Sequence, residues 1–171
     1  MTPRSLYDLY VHQLQDLYSA ESQIIDALPT MADKAMHEQL KNAFRTHLEE
    51  TKSQRDRLRR IFDGLEESPD GHTCKAMKGL IAEAKEFIGH VENIFADDAP
   101  GEVVDAGLIA NAQRVEHYEI AGYGTVCTFA EILGRDQDVR VLKEILAEEK
   151  RADERLTEIA MEAVNPAAAT I

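Results

Sequence analysis

Apolar residues recur at steps of three and four along four long stretches of this chain, a period that packed α-helices satisfy and strands do not. The first stretch, with Leu6, Tyr10, Leu14, Leu17, Tyr18, Ile24, Ile25 and Leu28, predicts a helix from about Ser5 to Ala27. Pro29 is expected to close it, because proline lacks the N–H that helical bonding needs. The second, with Leu40, Phe44, Leu48, Leu58 and Ile61, predicts a helix from near Met36 or Glu38 to about Phe62, with Gly64 just beyond its end. After turn-forming residues at 66–73, residues 74–95 read as a shorter helix, and ADDAPGE at 96–102 breaks the chain again. A third long helix is expected from about Val103 to Leu133 with Gly134 as its end signal. A fourth runs from near Asp138 to the neighbourhood of Asn165 and Pro166. Two short connections and one long crossover with its own helix make an all-α four-helix bundle in one domain, residues 1–165, followed by a frayed tail at 166–171.

Charge narrows the partners. The chain has 32 acidic against 19 basic residues, a formal net charge of -13, so its field repels nucleic acid and anionic lipid surfaces. No stretch approaches the roughly 18 consecutive apolar residues of a membrane span, and the start MTPRSLYDLY has no apolar leader run. A cytoplasmic location is the expectation. The two cysteines, Cys74 and Cys127, stand far apart with no CxxC pairing, which excludes a four-thiolate metal site.

Several acidic residues fall on the apolar stripes instead of the solvent faces. The first-helix series 10, 14, 17, 21, 24, 28 contains Glu21. The second-helix series 40, 44, 47, 51, 54, 58, 61 contains His47, with Glu50 one turn further along beside it. Glu116 and Glu119 flank Val115, Ile120 and Tyr123 on the third, and Glu149 and Asp153 interrupt the fourth. A carboxylate directed from each long helix towards a common axis is costly unless something neutralises it. Divalent cations do so, and two iron or manganese ions bridged by carboxylates suit such a set. A second regularity supports a paired arrangement: HLEETKSQ at 47–54 is similar to LAEEKRAD at 146–153, aligning Glu50 with Glu149 and Gln54 with Asp153.

The strings LYDLYVHQLQDLYSAE, HLEET, CKAMKGLIAEA, AQRVEHYEIAGYGT and LAEEKRADERLTEIA cover most of the chain and resemble the YciF-like branch of the ferritin-like superfamily, small bacterial proteins connected with stress. The resemblance implies a ferritin-like four-helix bundle with a long helical crossover between the second and third long helices, a homodimer and a rubrerythrin-like dimetal site. Carried over residue by residue, it implies Glu21, Glu50, Glu116 and Glu149 as ligands, with Glu119 similar to the additional third-helix glutamate of rubrerythrin. The chain departs from that pattern where a His three residues after a Glu is typical on two helices: Ser53 follows Glu50 and Ala152 follows Glu149. His47 and Asp153 are the available substitutes. A His-poor, oxygen-rich site also admits Mg or Ca.

His47 reads equally as a ligand or as a satisfied core histidine, and His117 reads as a surface or supporting residue more than a ligand. Tyr18, Tyr123, Gln54 and Gln113 stand where they can hydrogen-bond site carboxylates or simply pack. Cys127 reads as buried packing, and Cys74, near a helix start, as a reactive thiolate if exposed. The functional expectation is a dimetal-carboxylate protein of bacterial stress response, with metal-dependent redox activity towards oxygen or peroxide as its enzymatic form. The rival from a different class is a non-enzymatic helical stress or scaffold protein acting through a protein interface, motivated by the absent His pattern and the large crossover at 65–102.

Overall fold

Local signals set each helix before packing does. In a computed structural model that describes residues 3–95 and 100–171, with the side chains of 92–95 outside that description, α1 spans Leu6–Lys34. Ser5 caps it: its hydroxyl accepts the Asp8 N–H at 3.0 Å, one of the free helix-end donors, while the Asp8 carboxylate accepts the N–H of Arg4, just before the cap, at 2.9 Å. The expected stop at Pro29 does not occur, and α1 runs through it for five more residues. An interior proline costs a helix about 3 kcal/mol, but the turn beyond it carries Met31 and Ala32 into the core beside Leu40, Phe44 and Leu108. Burying one Met side chain contributes about 1.5–3 kcal/mol, so packing overrides the local break.

Helix α2 spans Glu38–Leu65 and also passes its expected end. Glu66, not Gly64, takes the left-handed conformation at φ 56°, and the Glu66 and Glu67 N–H groups close onto Asp63 and Phe62 carbonyls at 3.3 and 3.1 Å. Helix α3, Lys75–Phe95, is the crossover, and α4 spans Gly101–Ile132; of the break expected at 96–102, residues 96–99 lie outside the described residues. Gly134, at φ 68°, ends the α4 turn as expected. Helix α5 covers Asp136–Ile159 and continues through a wider π turn, Ala160–Val164, into the short α6, Asn165–Ala168. The first residues of the expected frayed tail are therefore helical, with Pro166 just after the π turn.

Helices α1 and α2 form one hairpin and α4 and α5 the other, with α1 against α4 and α2 against α5, while α3 lies across α1 and α4. The crossover is seated closely: a Cβ at Gly107 of α4 would lie 2.0 Å from the Phe87 ring of α3. The link before α3 is tied to α1, since Ser19 Oγ accepts the Cys74 N–H at 2.9 Å and Gln23 Nε2 donates to the Cys74 carbonyl at 3.1 Å. Among the described residues no helix is long and apolar enough to cross a membrane.

The core is two apolar clusters, not one. Leu14, Leu17, Leu58, Phe62, Val126, Leu142 and Ile145 belong to one, and Ile24, Leu28, Phe44, Leu108, Ala112, Leu156 and Ile159 to the other. Following their order along each helix shows α1 and α5 running one way and α2 and α4 the other, so the crossover brings the chain back to the end where α2 began. Every long helix changes cluster at its middle, where the buried polar residues sit.

The turn between α1 and α2 depends on α4. Buried Asp105 accepts the Met36 and His37 N–H groups at 2.8 and 2.7 Å, donors that the start of α2 otherwise leaves unpaired. Replacing Asp105 with Ala should lower stability by about 1–2 kcal/mol, the usual scale for a lost helix cap, and Asp105→Asn should recover part of it; urea denaturation of the three proteins checks both.

Candidate metal centre

The mid-bundle layer follows from the helical period: at steps of three and four along the buried face the apolar series gives way to Glu21 on α1, to His47, Thr51 and Gln54 on α2, to Glu116 and Glu119 on α4 and to Glu149 on α5. Glu21, Glu119 and Glu149 have no exposed surface, and Glu116 and His47 are 3% and 6% exposed. One ligand atom from each of His47, Glu116, Glu119 and Glu149 lies within 4.8 Å of the other three, a spacing able to hold a metal ion. His47 Nε2 stands 3.3 Å from Glu116 Oε1 and 4.0 Å from Glu149 Oε2. Of the other residues read from the sequence, Glu21 is buried in the same layer, with its charge acting on Glu119 and Glu149. Glu50 is half-exposed at the rim, 3.7 Å from His47 Nδ1. Asp153 turns to α4, accepting from Gln113 Nε2 at 3.0 Å and facing His117 Nε2 at 3.3 Å. The repeat that aligns Glu50 with Glu149 thus pairs a rim residue with a central one.

Supporting groups hold some carboxylate oxygens and leave others without partners. The Tyr123 hydroxyl donates to Glu21 Oε1, leaving Oε2 unpartnered, and Gln54 Nε2 donates to Glu149 Oε1, again leaving Oε2 unpartnered. Both Glu119 oxygens, Glu116 Oε2 and both His47 ring nitrogens also lack hydrogen-bond partners among the described residues. Gln54 also donates to Glu148 at 3.0 Å, and Arg57 pairs with Glu148, so the amide is fixed from the protein's outer side. Thr51, buried beside His47, donates to the His47 carbonyl of its own helix at 2.7 Å. The sequence stripe contains Thr51 and Gln54; the Arg57–Glu148 pair was not read from it, although Arg57 lies one turn after Gln54 and Glu148 directly before Glu149.

Electrostatics express the same strain. Burial pushes the Glu21 carboxyl up to about 8 against the opposing hydrogen bond from Tyr123. Burial, then the charges of Glu21 and Glu116, hold Glu119 well above the usual carboxylate range. Glu149 is raised by burial and by Glu119, Glu116 and Glu21. Glu116 is raised by burial although His47 pulls it down. Burial alone would favour neutral His47, but Glu116, Glu50 and Glu21 outweigh it and raise the imidazole to about 9. In return His47 holds Glu50 low. The layer is therefore proton-rich near neutral pH, with unpaired oxygens facing one another.

Two openings reach this layer at its His47–Glu116 edge. On the α2–α5 side an open cleft of ≈ 610 Å³, lined by Asn42, Glu50, Arg151 and Arg155 among others, ends on both residues. On the other side an apolar cavity beneath α3 ends on the same pair.

Other residues singled out in the sequence sit elsewhere. Tyr18 packs edge-on against Phe62. Cys127 is buried in an apolar cluster. Cys74 is fully buried, not exposed; burial pushes its thiol up, and its sulfur lies 3.0 Å from the Tyr118 hydroxyl, which removes the conditional expectation of a reactive thiolate.

A family described as a domain of unknown function, DUF892, matches residues 5–169. Protein YciF of Escherichia coli is 43% identical over 166 residues, 96% of each chain. The crystal structure of that stress protein superposes with a TM-score of 0.87 over 95% of this chain and 99% of its own. YcfI of Rhodopseudomonas palustris, provisionally called a structural protein, is 44% identical with a TM-score of 0.84 over 92% of this chain and 98% of its own.

The raised groups set a pH dependence for the metal-free protein. A carboxyl raised on folding binds more protons folded than unfolded, so stability falls as pH rises from its unfolded value to its folded one. For Glu21 that window runs from 4.5 to about 8. His47, raised from 6.5 to about 9, likewise contributes stability below 6.5 that is lost as pH climbs through 9. The melting temperature of chelator-treated protein should drop between pH 5 and pH 8, and Glu119→Gln should flatten the decline; thermal melts across that range measure it.

Proposed function

The chain belongs to the DUF892 family, and on that premise we propose that it is a dimetal-carboxylate protein of bacterial stress response that binds two iron or manganese ions. The observation that supports this is the set of buried, unpartnered oxygens on Glu21, Glu116, Glu119 and Glu149 facing the unpartnered nitrogens of His47. A buried carboxylate costs several kcal/mol on the order of magnitude seen for buried ions, and four that share one imidazole and the two hydrogen bonds from Tyr123 and Gln54 are a poor solution for a scaffold alone. Divalent cations remove the penalty and favour the deprotonated forms.

The donor set fits such ions. Glu119, with neither oxygen engaged, would offer both oxygens to the ions. Glu149 and Glu21, each held at one oxygen by Gln54 or Tyr123, present the other as a single oriented ligand, the usual work of supporting hydrogen bonds around a metal. His47 supplies one imidazole once its proton has left. Glu50, ionised at the mouth of the polar cleft, completes the set from the solvent side, and Asp153 orients Gln113 and His117 at the layer's edge. Iron or manganese so held supplies one-electron redox chemistry towards oxygen or peroxide. With one imidazole among carboxylates, the site also accepts Mg or Ca in isolated protein. The stress connection comes from the Escherichia coli relative, and a homodimer in the cytoplasm is the working form.

A second reading has its own observation: Glu50 and Asp153 stand outside the tight group, and one relative is provisionally called structural. In that reading the layer stays protonated and the protein acts through a protein interface.

One titration separates them. Saturating Mn2+, or Fe2+ without oxygen, at about 100 times the dissociation constant should raise stability by about 2.7 kcal/mol for each independent site, with two metals per chain by elemental analysis. Combining Glu119→Gln with Glu149→Gln should abolish both effects. Metal content unchanged in that double variant would remove the site assignment, and a wild-type melting temperature indifferent to metal would favour the scaffold.

A further inference from the structure

The apolar cavity beneath α3 is unlike the other approach to the layer. It lies between α1, α3 and α4, walled by Ile24, Leu28, Ala84, Ile88, Ala112 and Val115. Exposed Thr30 and Lys85 mark its mouth, and His47 and Glu116 its floor. Its volume of ≈ 30 Å³ is about two to three times the ≳ 10–15 Å³ that one water needs, room for a molecule of two or so heavy atoms and not for a chain or ring. The one amide in its wall is already engaged: Asn111 donates to the Gly107 carbonyl at 2.9 Å and accepts from Arg114 at 3.1 Å.

The surface this cavity exposes is almost wholly carbon, the His47–Glu116 floor included, so a water or peroxide molecule seated there would forfeit most of its hydrogen bonds, a cost of roughly 2–7 kcal/mol per unsatisfied polar group. A neutral apolar molecule loses nothing and gains dispersion contacts, which is why apolar cavities stay dry and take up gases such as xenon. We infer that this cavity is a binding site for a diatomic-sized apolar molecule, dioxygen being the reactive candidate, delivered to the His47–Glu116 edge from beneath α3 while ions use the polar cleft opposite. The crossover helix is then part of the site: Ala84 and Ile88 form the roof. Delivery to a metal rests on the dimetal reading above, whereas occupancy of the cavity does not.

Dissolved dioxygen is itself the probe. In metal-free protein under oxygen pressure, paramagnetic broadening of methyl resonances should be selective for Ile88 and Ala112, 9% and 4% exposed, well above that of Val11 and Ile61 in the other cluster, which are matched at 9% and 5%. Ala84→Leu, filling the cavity from its roof, should reduce the broadening of Ile88 and Ala112 to the level of Val11 and Ile61 while leaving Mn2+ stoichiometry unchanged. Ala27→Leu fills it from the α1 wall and serves if the first variant misfolds. Equal broadening in both clusters, or selective broadening that survives both substitutions, overturns the inference. Selective broadening in a protein that binds no metal would keep this site and remove the dimetal reading.

Discussion

Burying four glutamates and a histidine in the middle of a helical bundle is the constraint on which this structure turns. Charge in an apolar interior is tolerated only when paired, hydrogen-bonded, protonated or bound to a cation. Here hydrogen bonds satisfy part of the layer: Tyr123 serves one oxygen of Glu21 and Gln54 one oxygen of Glu149. His47 offers one positive charge against four carboxyls. The remaining negative charge is removed in the metal-free protein by protons, as the raised carboxyls require.

That compromise explains the division of the core. Each long helix buries apolar residues at both ends and gives up its middle to the polar layer, so two separate apolar clusters carry the packing. Extending α1 past Pro29 and α2 past Gly64 lengthens the apolar ends that clamp the layer. The apolar ends hold the central side chains in place: Asp105 ties the α1–α2 turn to α4, and the seated Phe87 and the tethered Cys74 backbone keep the crossover against α1 and α4.

Much of this was legible in the sequence because both signals are periodic. Steps of three and four identify the helices, and a Glu at an apolar step identifies Glu21 or Glu149 as buried. The helix ends were less legible: Pro29 and Gly64 are local stop signals, and the burial of Met31 and Leu65 that overrides them is a property of the assembled bundle. The same limit separates Glu50 from Glu149. Their flanking strings align, but one faces the rim and the other the centre, and only the packing of α2 against α5 decides which. The Arg57–Glu148–Gln54 chain joins two helices more than 90 residues apart, and no single-helix pattern announces such a partnership. The burial of Cys74 likewise depends on α1 and α4, not on its own helix.

A protonated carboxyl layer and a cation-filled one are two states of the same side chains, so passage between them must move protons. Adding Mn2+ to metal-free protein in weak buffer at pH 7, with a pH indicator in the cell, counts those protons directly. The account predicts release of more than one proton per chain at saturation, diminished in Glu119→Gln. Cation binding with no proton release would contradict it, because the carboxylates of the layer would then not be what the cation displaces protons from.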